Sequence, residues 1–356
     1  MNNPKKIAIV CDYNLKSDRI GGMDRFFVEF DAKAKTKNIE IDWYFTDYKP
    51  FAFYDGINIQ HAGGHNIETF FLEKTTTQNK NYTVLITHFI SLCTSFFKKA
   101  KATGIQKIIA IDHNPRPLHG FGLSKTIKNK IKGLLYSRYI NIFVGVSNYT
   151  KKHILKDYGA FLVNKTIVIY NGIDTSVFVK RTKSIQNTFI VSSHLRHSKG
   201  IQDLIQAVFL LSENIKNQIV IDIFGSGPFE TELKSMTTAL NLNNIIHFRG
   251  SSPDLHLLFC NYSYMIQPTY MECFSLSILE SLASNVPVIT TTVGGNLEIV
   301  TDQKNGYIFE PANIQALSLI IENIVMGRAK IEDETNSKIE KNFNLDKMVT
   351  AHLALI

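Results

Sequence analysis

Short, almost wholly apolar runs recur along this chain at intervals long enough to hold a helix, and this rhythm limits the fold more than any other feature. The first half carries such runs near positions 6–11, 39–45, 83–88, 107–111 and 141–146. The second half repeats them near 188–192, 219–224, 245–248, 264–267 and 286–291. A strand with one wet face alternates apolar and polar residues, whereas a strand covered on both faces does not. Near-continuous runs therefore predict parallel sheets with crossover helices on both sides, an α/β architecture. Single cores rarely grow beyond about 250–300 residues, and this chain has 356. Two Rossmann-like domains are expected, 1–165 and 166–340, with the boundary between 163 and 187 and a closing segment, 341–356, mostly helical. Ligands of open parallel sheets bind beyond the carboxyl ends of the strands, so two such domains facing one another would enclose an interdomain cleft.

Charged residues make up 20% and hydrophobic residues 44% of the chain, a globular balance. Lys5-Lys6 leads into an apolar run too short for a signal peptide. No stretch approaches the roughly 20 apolar residues that span a bilayer. Cys11, Cys93, Cys260 and Cys273 lack paired spacing, so neither a zinc site nor a disulfide framework is indicated. These features predict a cytoplasmic protein. Charge is unevenly shared: residues 1–165 hold 25 Lys and Arg against 13 Asp and Glu, or +12, and the remainder 14 against 18, or −4. Between Leu123 and Ile140 the cations alternate with Ile127, Ile131, Leu134 and Leu135. Two readings stay open for this stretch. One is a basic helix at an anionic membrane surface, peripheral on the inner face of the cell membrane; the other is a solvated lysine-rich face. Nucleic acid is not expected as a partner, because the segment carries no recognisable nucleic-acid-binding motif.

The densest local signal is Glu272-Cys273-Phe274-Ser275-Leu276 followed by Glu280, directly after the apolar run 264–267. It reads as a strand-to-helix turn with Glu280 two turns into the helix. If both carboxylates were helical they would stand about 12 Å apart. That exceeds the roughly 5–9.5 Å of a hydrolytic carboxylate pair and suits the two ends of one extended ligand. Taken alone, the pair equally fits a capping residue and an ordinary helical Glu.

Ordered landmarks change that balance. Tyr170-Asn171-Gly172-Ile173-Asp174, Arg196 with Lys199-Gly200, Gly225-Ser226-Gly227-Pro228, His247-Phe248-Arg249-Gly250, the 272–280 segment, Gly294-Gly295 with Glu298, and Asn305-Gly306 follow one another along the second half. In this order the chain resembles the retaining GT-B glycosyltransferases of family 4, the group 1 type. The resemblance implies a GT-B fold and transfer of a hexosyl group, with retention, from a UDP- or GDP-linked sugar. The acceptor would be a saccharide or lipid-linked saccharide in cell-surface polysaccharide or lipopolysaccharide synthesis. It also implies roles. Lys199 and Arg196 would hold the diphosphate, and Glu280 the ribose. Glu272 would face sugar hydroxyls, with Cys273, Phe274, Ser275 and Leu276 shaping the turn around the donor. Gly21-Gly22 and Gly225 would let backbone approach the donor. His113 would contact the transferred sugar, with His88 as its competitor, and Arg116 and His119 would meet the acceptor.

No metal is expected, because Glu332-Asp333-Glu334 lies in a late polar segment and no other Asp-X-Asp-like run stands out, and no cofactor beyond the nucleotide-sugar co-substrate is implied. The chain departs from the family pattern at Ser193, His194, Cys273 and Ser275; either His194 or Arg196 can fill the place of the usual arginine. Two rivals share the architecture, a nucleotide-sugar 2-epimerase and a non-catalytic nucleotide-sugar-binding protein. A dinucleotide fold is excluded at Gly225-Ser226-Gly227, where Glu230 breaks the glycine fingerprint.

Overall fold

A computed structural model describes residues 4–17, 20–182, 186–331 and 334–356. The chain divides into two compact units, Met1–Asn171 with Leu345–Ile356, and Gly172–Asn344.

The first unit is built on a seven-stranded sheet. Its strands are β1 (Lys5–Leu15), β2 (Ile39–Tyr48), β3 (Ile59–His61), β4 (Val84–His88), β5 (Lys107–Asp112), β6 (Ile142–Gly145) and β7 (Thr166–Val168), in the order β3-β2-β1-β4-β5-β6-β7. The second unit carries β8 (Thr188–Ser192), β9 (Val220–Phe224), β10 (Ile246–Gly250), β11 (Tyr264–Gln267), β12 (Val288–Thr291) and β13 (Gly306–Phe309), in the order β10-β9-β8-β11-β12-β13. All pairings between these strands are parallel. In each sheet the order reverses beside the first strand, between β1 and β4 and between β8 and β11.

Three strands were not expected from the apolar runs: β3, β7 and β13. All three are sheet edges, where burial is incomplete and a long apolar run is not required. β1 also runs past Cys11, through an irregularity, to pair Asn14 and Leu15 with Asp47 and Tyr48 of β2.

Helix Gly22–Thr36 shows why the covering layers form. Met23, Phe26, Phe27, Phe30, Asp31 and Ala34 recur at helical spacing and are all buried. The buried Asp31 accepts a hydrogen bond from the Trp43 indole at 2.9 Å and pairs with Lys35 at 2.6 Å. The closing helix, Leu345–Leu353, starts two residues after Phe343 and packs on helix Gly22–Thr36, with Phe26 and His352 ring centroids 5.0 Å apart. Lys33 pairs with Asp346, and Lys5 donates to the Ile356 carbonyl at 2.7 Å. In the second unit, helices Ile201–Leu210 and Ile314–Val325 lay Leu204, Ile205, Val208, Leu317 and Ile321 on one face of its sheet.

Arg116 does not stand ready for an acceptor. It is buried, with its guanidinium between Asp112 at 2.8 Å and Asp157 at 2.7 Å, and it tethers the end of β5 to helix Asn148–Tyr158. Removing one member of a buried charge cluster costs about 3–5 kcal/mol, because the remaining charges lose their partner. Arg116→Leu should lower the stability of the first unit by that amount in urea unfolding; a midpoint within error of wild type would show that the cluster carries no such weight.

Candidate functional site

The second unit gathers its polar chemistry at the carboxyl ends of β8, β9, β11 and β12. After β8 the chain turns inward at Leu195, fully buried, whose amide donates to the Ser226 carbonyl and whose carbonyl accepts from the Phe229 amide, both at 3.0 Å. With Leu195 as the plug, His194 and Arg196 on either side are exposed. A single turn, His197–Lys199, then closes through the Lys199 amide to the Arg196 carbonyl at 2.9 Å. Gly225, after β9, lies against this loop. Its φ is 127°, and a Cβ there would stand 1.9 Å from the Ser193 carbonyl oxygen, so only glycine fits.

The turn after β11 is stitched to the same loop. The Ser198 carbonyl accepts from the Tyr270 amide at 2.8 Å and the Thr269 hydroxyl at 3.1 Å. Across this seam the Lys199 ammonium meets the Glu272 carboxylate at 2.9 Å, with the two side chains 23% and 13% exposed. The other Glu272 oxygen accepts from the Cys273 amide at 3.0 Å. Gly294, with φ 67°, fits under the turn: a Cβ would be 2.0 Å from the Glu272 carbonyl oxygen. The ion pair therefore bridges the ends of β8 and β11, the two strands that flank the reversal of strand order, where open parallel sheets bind ligands.

The rest of the segment serves the fold first. The Ser275 hydroxyl caps helix Leu276–Ala283, accepting from the Ile278 amide at 3.3 Å and from Gln267 at 2.8 Å. Phe274 is buried against Phe343, ring centroids 5.3 Å apart, and Cys273 is buried with its carbonyl bound to the Gly295 amide. Side chains at 273–275 are thus committed to packing and capping. Leu276 opens the helix and is half-buried. Glu280 is the fifth helical residue, one turn in instead of the expected two, because the helix starts only after the Ser275 cap; it is partly exposed.

In the first unit, Gly21 is the cap residue and Gly22 the first residue of helix Gly22–Thr36. The Gly21 amide donates to Asp24 at 2.8 Å, and Tyr13 and Tyr54 donate to the same buried carboxylate. Gly21 is extended at φ −107°, and a Cβ would meet nothing closer than Asp24 at 3.5 Å. Among the described residues nothing demands glycine at Gly21.

His113 follows β5, and the structure joins it to its competitor His88, Nε2 to Nδ1 at 3.0 Å. Phe89, in the left-handed region at φ 62°, stacks on His113 with centroids 4.3 Å apart. His352 from the closing helix lies beside His88, centroids 6.2 Å apart, with its Nδ1 bound to the Met348 carbonyl at 2.7 Å. The apolar runs and motifs gave no hint of Phe89 or His352: the first is marked only by its backbone, the second by its place on a helix far along the chain. His119 is exposed in the loop after β5.

Loss of solvation holds all three rings neutral. His113 is pushed down to about 3 and His352 to about 4, and His88 lies well below its ordinary value; a neighbouring ring adds to the shift for His88 and His113, and the Met348 carbonyl opposes it for His352. Among the described residues no group of three or more His, Cys, Asp or Glu is arranged to hold a metal ion. Glu332 and Asp333 lie outside the described residues.

Residues 173–343, nearly the whole second unit, match the family described as Glycosyl transferases group 1. An uncharacterized glycosyltransferase of Methanocaldococcus jannaschii is 27% identical over 239 residues, 65% of this chain and 64% of that protein. A poly(glycerol-phosphate) alpha-glucosyltransferase of Bacillus subtilis is 23% identical over 240 residues, 60% of this chain and 35% of that protein. The matches thus span less than two thirds of these relatives' lengths. Among solved structures, Anabaena HepE in complex with UDP-glucose superposes with a TM-score of 0.78 at 17% identity, over 99% of this chain and 100% of that one. The fold is GT-B.

The buried histidines generate a pH dependence. An unfolded chain binds protons at these rings below about pH 6.5, and the folded unit resists them until about 3–4. The unfolded state holds more protons in that window, so stability falls as pH drops from about 6.5 toward 4. Melting curves across this range should show the loss, and His352→Phe, which removes one titrating ring, should flatten it; an unchanged slope would remove His352 from the account.

Proposed function

Since residues 173–343 make the second unit a member of the group 1 glycosyl transferases, we propose that this chain is a retaining glycosyltransferase. It moves a hexosyl group from a UDP- or GDP-linked donor to a saccharide or lipid-linked saccharide in cell-surface polysaccharide or lipopolysaccharide synthesis. The observation that carries this reading is the Lys199–Glu272 pair at the reversal of strand order in the second sheet.

A leaving nucleoside diphosphate gains negative charge as the bond to the anomeric carbon breaks, so a fixed cation lowers the barrier. An ammonium has three donors, and Glu272 engages one of them. Lys199 can therefore bind a phosphate oxygen without leaving the carboxylate that aims it; Arg196, exposed two residues from His194, would add charge at the rim, whereas His194 in that place would leave less. Glu272, held by Lys199 and the Cys273 amide, is left to accept from sugar hydroxyls. Glu280, one turn along the helix, serves the ribose hydroxyls, for which a carboxylate is a strong acceptor. His113 enters as a neutral imidazole, a hydrogen-bonding partner for the sugar and not a counter-charge for phosphate. In the retaining route, the bond between the anomeric carbon and the phosphate oxygen breaks and one to the acceptor oxygen forms on the same face. The acceptor proton passes to the departing diphosphate. The positive charge needed comes from side chains, so the reaction is proposed to run without a metal. The similarity to the Bacillus subtilis poly(glycerol-phosphate) alpha-glucosyltransferase supports a polymer-directed acceptor.

A thermal-shift screen of UDP, GDP, ADP and their sugar conjugates, with and without EDTA, tests the donor site. One nucleotide series should raise the melting point whether or not EDTA is present, since a ligand at 100 times its Kd adds about 2.7 kcal/mol. Glu280→Ala should weaken nucleotide binding, whereas Lys199→Ala should lower the transfer rate by about 10²–10³ with smaller effect on binding. No shift with any nucleotide, or wild-type turnover in both variants, would sink the assignment.

A further inference from the structure

We propose that Phe89 is a positioning residue for sugar recognition, setting the plane of the His113 imidazole; this rests on the transfer reaction proposed above, in which His113 meets the transferred sugar. In the first sheet the strand order reverses between β1 and β4, the place where open parallel sheets bind ligands. Regular pairing of these two strands stops at Cys11 with His88. Just beyond, each backbone departs from the strand. β1 shifts its register against β2 between Cys11 and Asn14, with Tyr13 inside the irregularity, and Phe89 takes φ 62°. Bulges that re-aim a side chain and residues in strained backbone both concentrate beside functional sites.

The two departures deliver two rings to one stack. Phe89 lies against Tyr13 with centroids 5.5 Å apart and planes 27° from parallel, and against His113 at 4.3 Å and 23°. The tyrosine end is anchored: its hydroxyl donates at 3.0 Å to Asp24 Oδ2, the oxygen that also accepts from the Gly21 amide. At the other end the imidazole is held twice. Phe89 fixes its plane, and the 3.0 Å contact of its Nε2 with His88 Nδ1 fixes its rotation within that plane. A ring held in this way presents its hydrogen-bonding groups in one direction, as recognition of a hydroxyl requires.

Backbone need does not account for Phe89. Among the described residues nine non-glycine residues have positive φ, and five of them are Asn, which tolerates that region. Phe89 is the one aromatic among the nine, and for a bulky side chain the left-handed conformation is a true outlier. Glycine would adopt it without strain. Core packing does not account for it either, because Phe89 is only half-buried while His88 and Ile90 beside it are buried. What the ring contributes is its place between Tyr13 and His113.

Binding measurements and proton NMR on the full chain test this, with UDP, GDP, UDP-glucose and GDP-mannose as probes. For a base that wild type binds, the ratio of Kd for the sugar conjugate to Kd for the parent diphosphate isolates contacts to the sugar. Phe89→Leu, which keeps an apolar cover without a plane, should raise that ratio roughly twofold to tenfold, the worth of one misdirected hydrogen bond, and leave Kd for the diphosphate unchanged. Tyr13→Leu, which removes the far ring and leaves residue 89 alone, should raise it in the same direction. Phe89→Tyr, which restores a ring, should return it to the wild-type value. The His113 Hε1 signal, shielded by the stacked ring, should move downfield in Phe89→Leu and hold in Phe89→Tyr. An unchanged ratio in both leucine variants, a His113 signal that stays in place, or equal loss of diphosphate and conjugate binding in Phe89→Leu overturns the proposal. Each of these outcomes, on a wild type that binds nucleotide, leaves the transfer reaction standing. A wild type that binds none of the four probes fails that reading, and this proposal with it.

Discussion

Parallel pairing throughout both sheets decides where polar chemistry can collect. When every strand points the same way, every strand-to-helix turn opens on one edge, and residues far apart in sequence arrive there together. Lys199 and Glu272 are separated by 73 positions yet meet because β8 and β11 are neighbours in the sheet. The turns are then drawn together by backbone contacts that admit no side chain, at Gly225 against Ser193 and Gly294 against Glu272. Glycine here supplies close approach, and the approach fixes the carboxylate. The ion pair is a product of the topology before it is a feature of any reaction.

The two units solve burial of charge in opposite ways. In the first, the polar groups near the carboxyl ends of β4 and β5 are taken out of water entirely: His88 and His113 are neutral and hydrogen-bonded to one another, and Arg116 is closed between two carboxylates. In the second, Lys199 and Glu272 stay partly wet, and His194 and Arg196 more so. In the proposed reaction the two suit different tasks: the neutral pair would meet uncharged sugar hydroxyls, and the cations the charge of the diphosphate.

Much of this was legible in the residues, for identifiable reasons. Strands buried on both faces write themselves as unbroken apolar runs, so the interior of each sheet could be read; β3, β7 and β13, at the edges, carry no such mark. The turn at 272–276 could be placed because it follows directly on the apolar run 264–267; the Ser275 cap that sets the helix start, and so puts Glu280 one turn in and not two, was not read. Which of the turn's side chains face inward could not be placed, since burial of Phe274 depends on Phe343, nearly 70 residues on. Arg116 was misread for the same reason. Its position after β5 suggests exposure, whereas its role is set by Asp157, 41 residues away, a partner that periodicity does not reveal.

The first unit is discontinuous in sequence, its last layer being the closing helix Leu345–Leu353. During synthesis the whole second unit must be made between the two parts. At about 5–20 residues per second that is a delay of roughly 10–30 s. Throughout it, Phe26 and His88, which His352 covers in the finished fold, stand uncovered on a nascent chain. The second unit, contiguous from Gly172 to Asn344, meets no such wait. The order of completion therefore runs against the order of translation: the unit begun first is the one finished last.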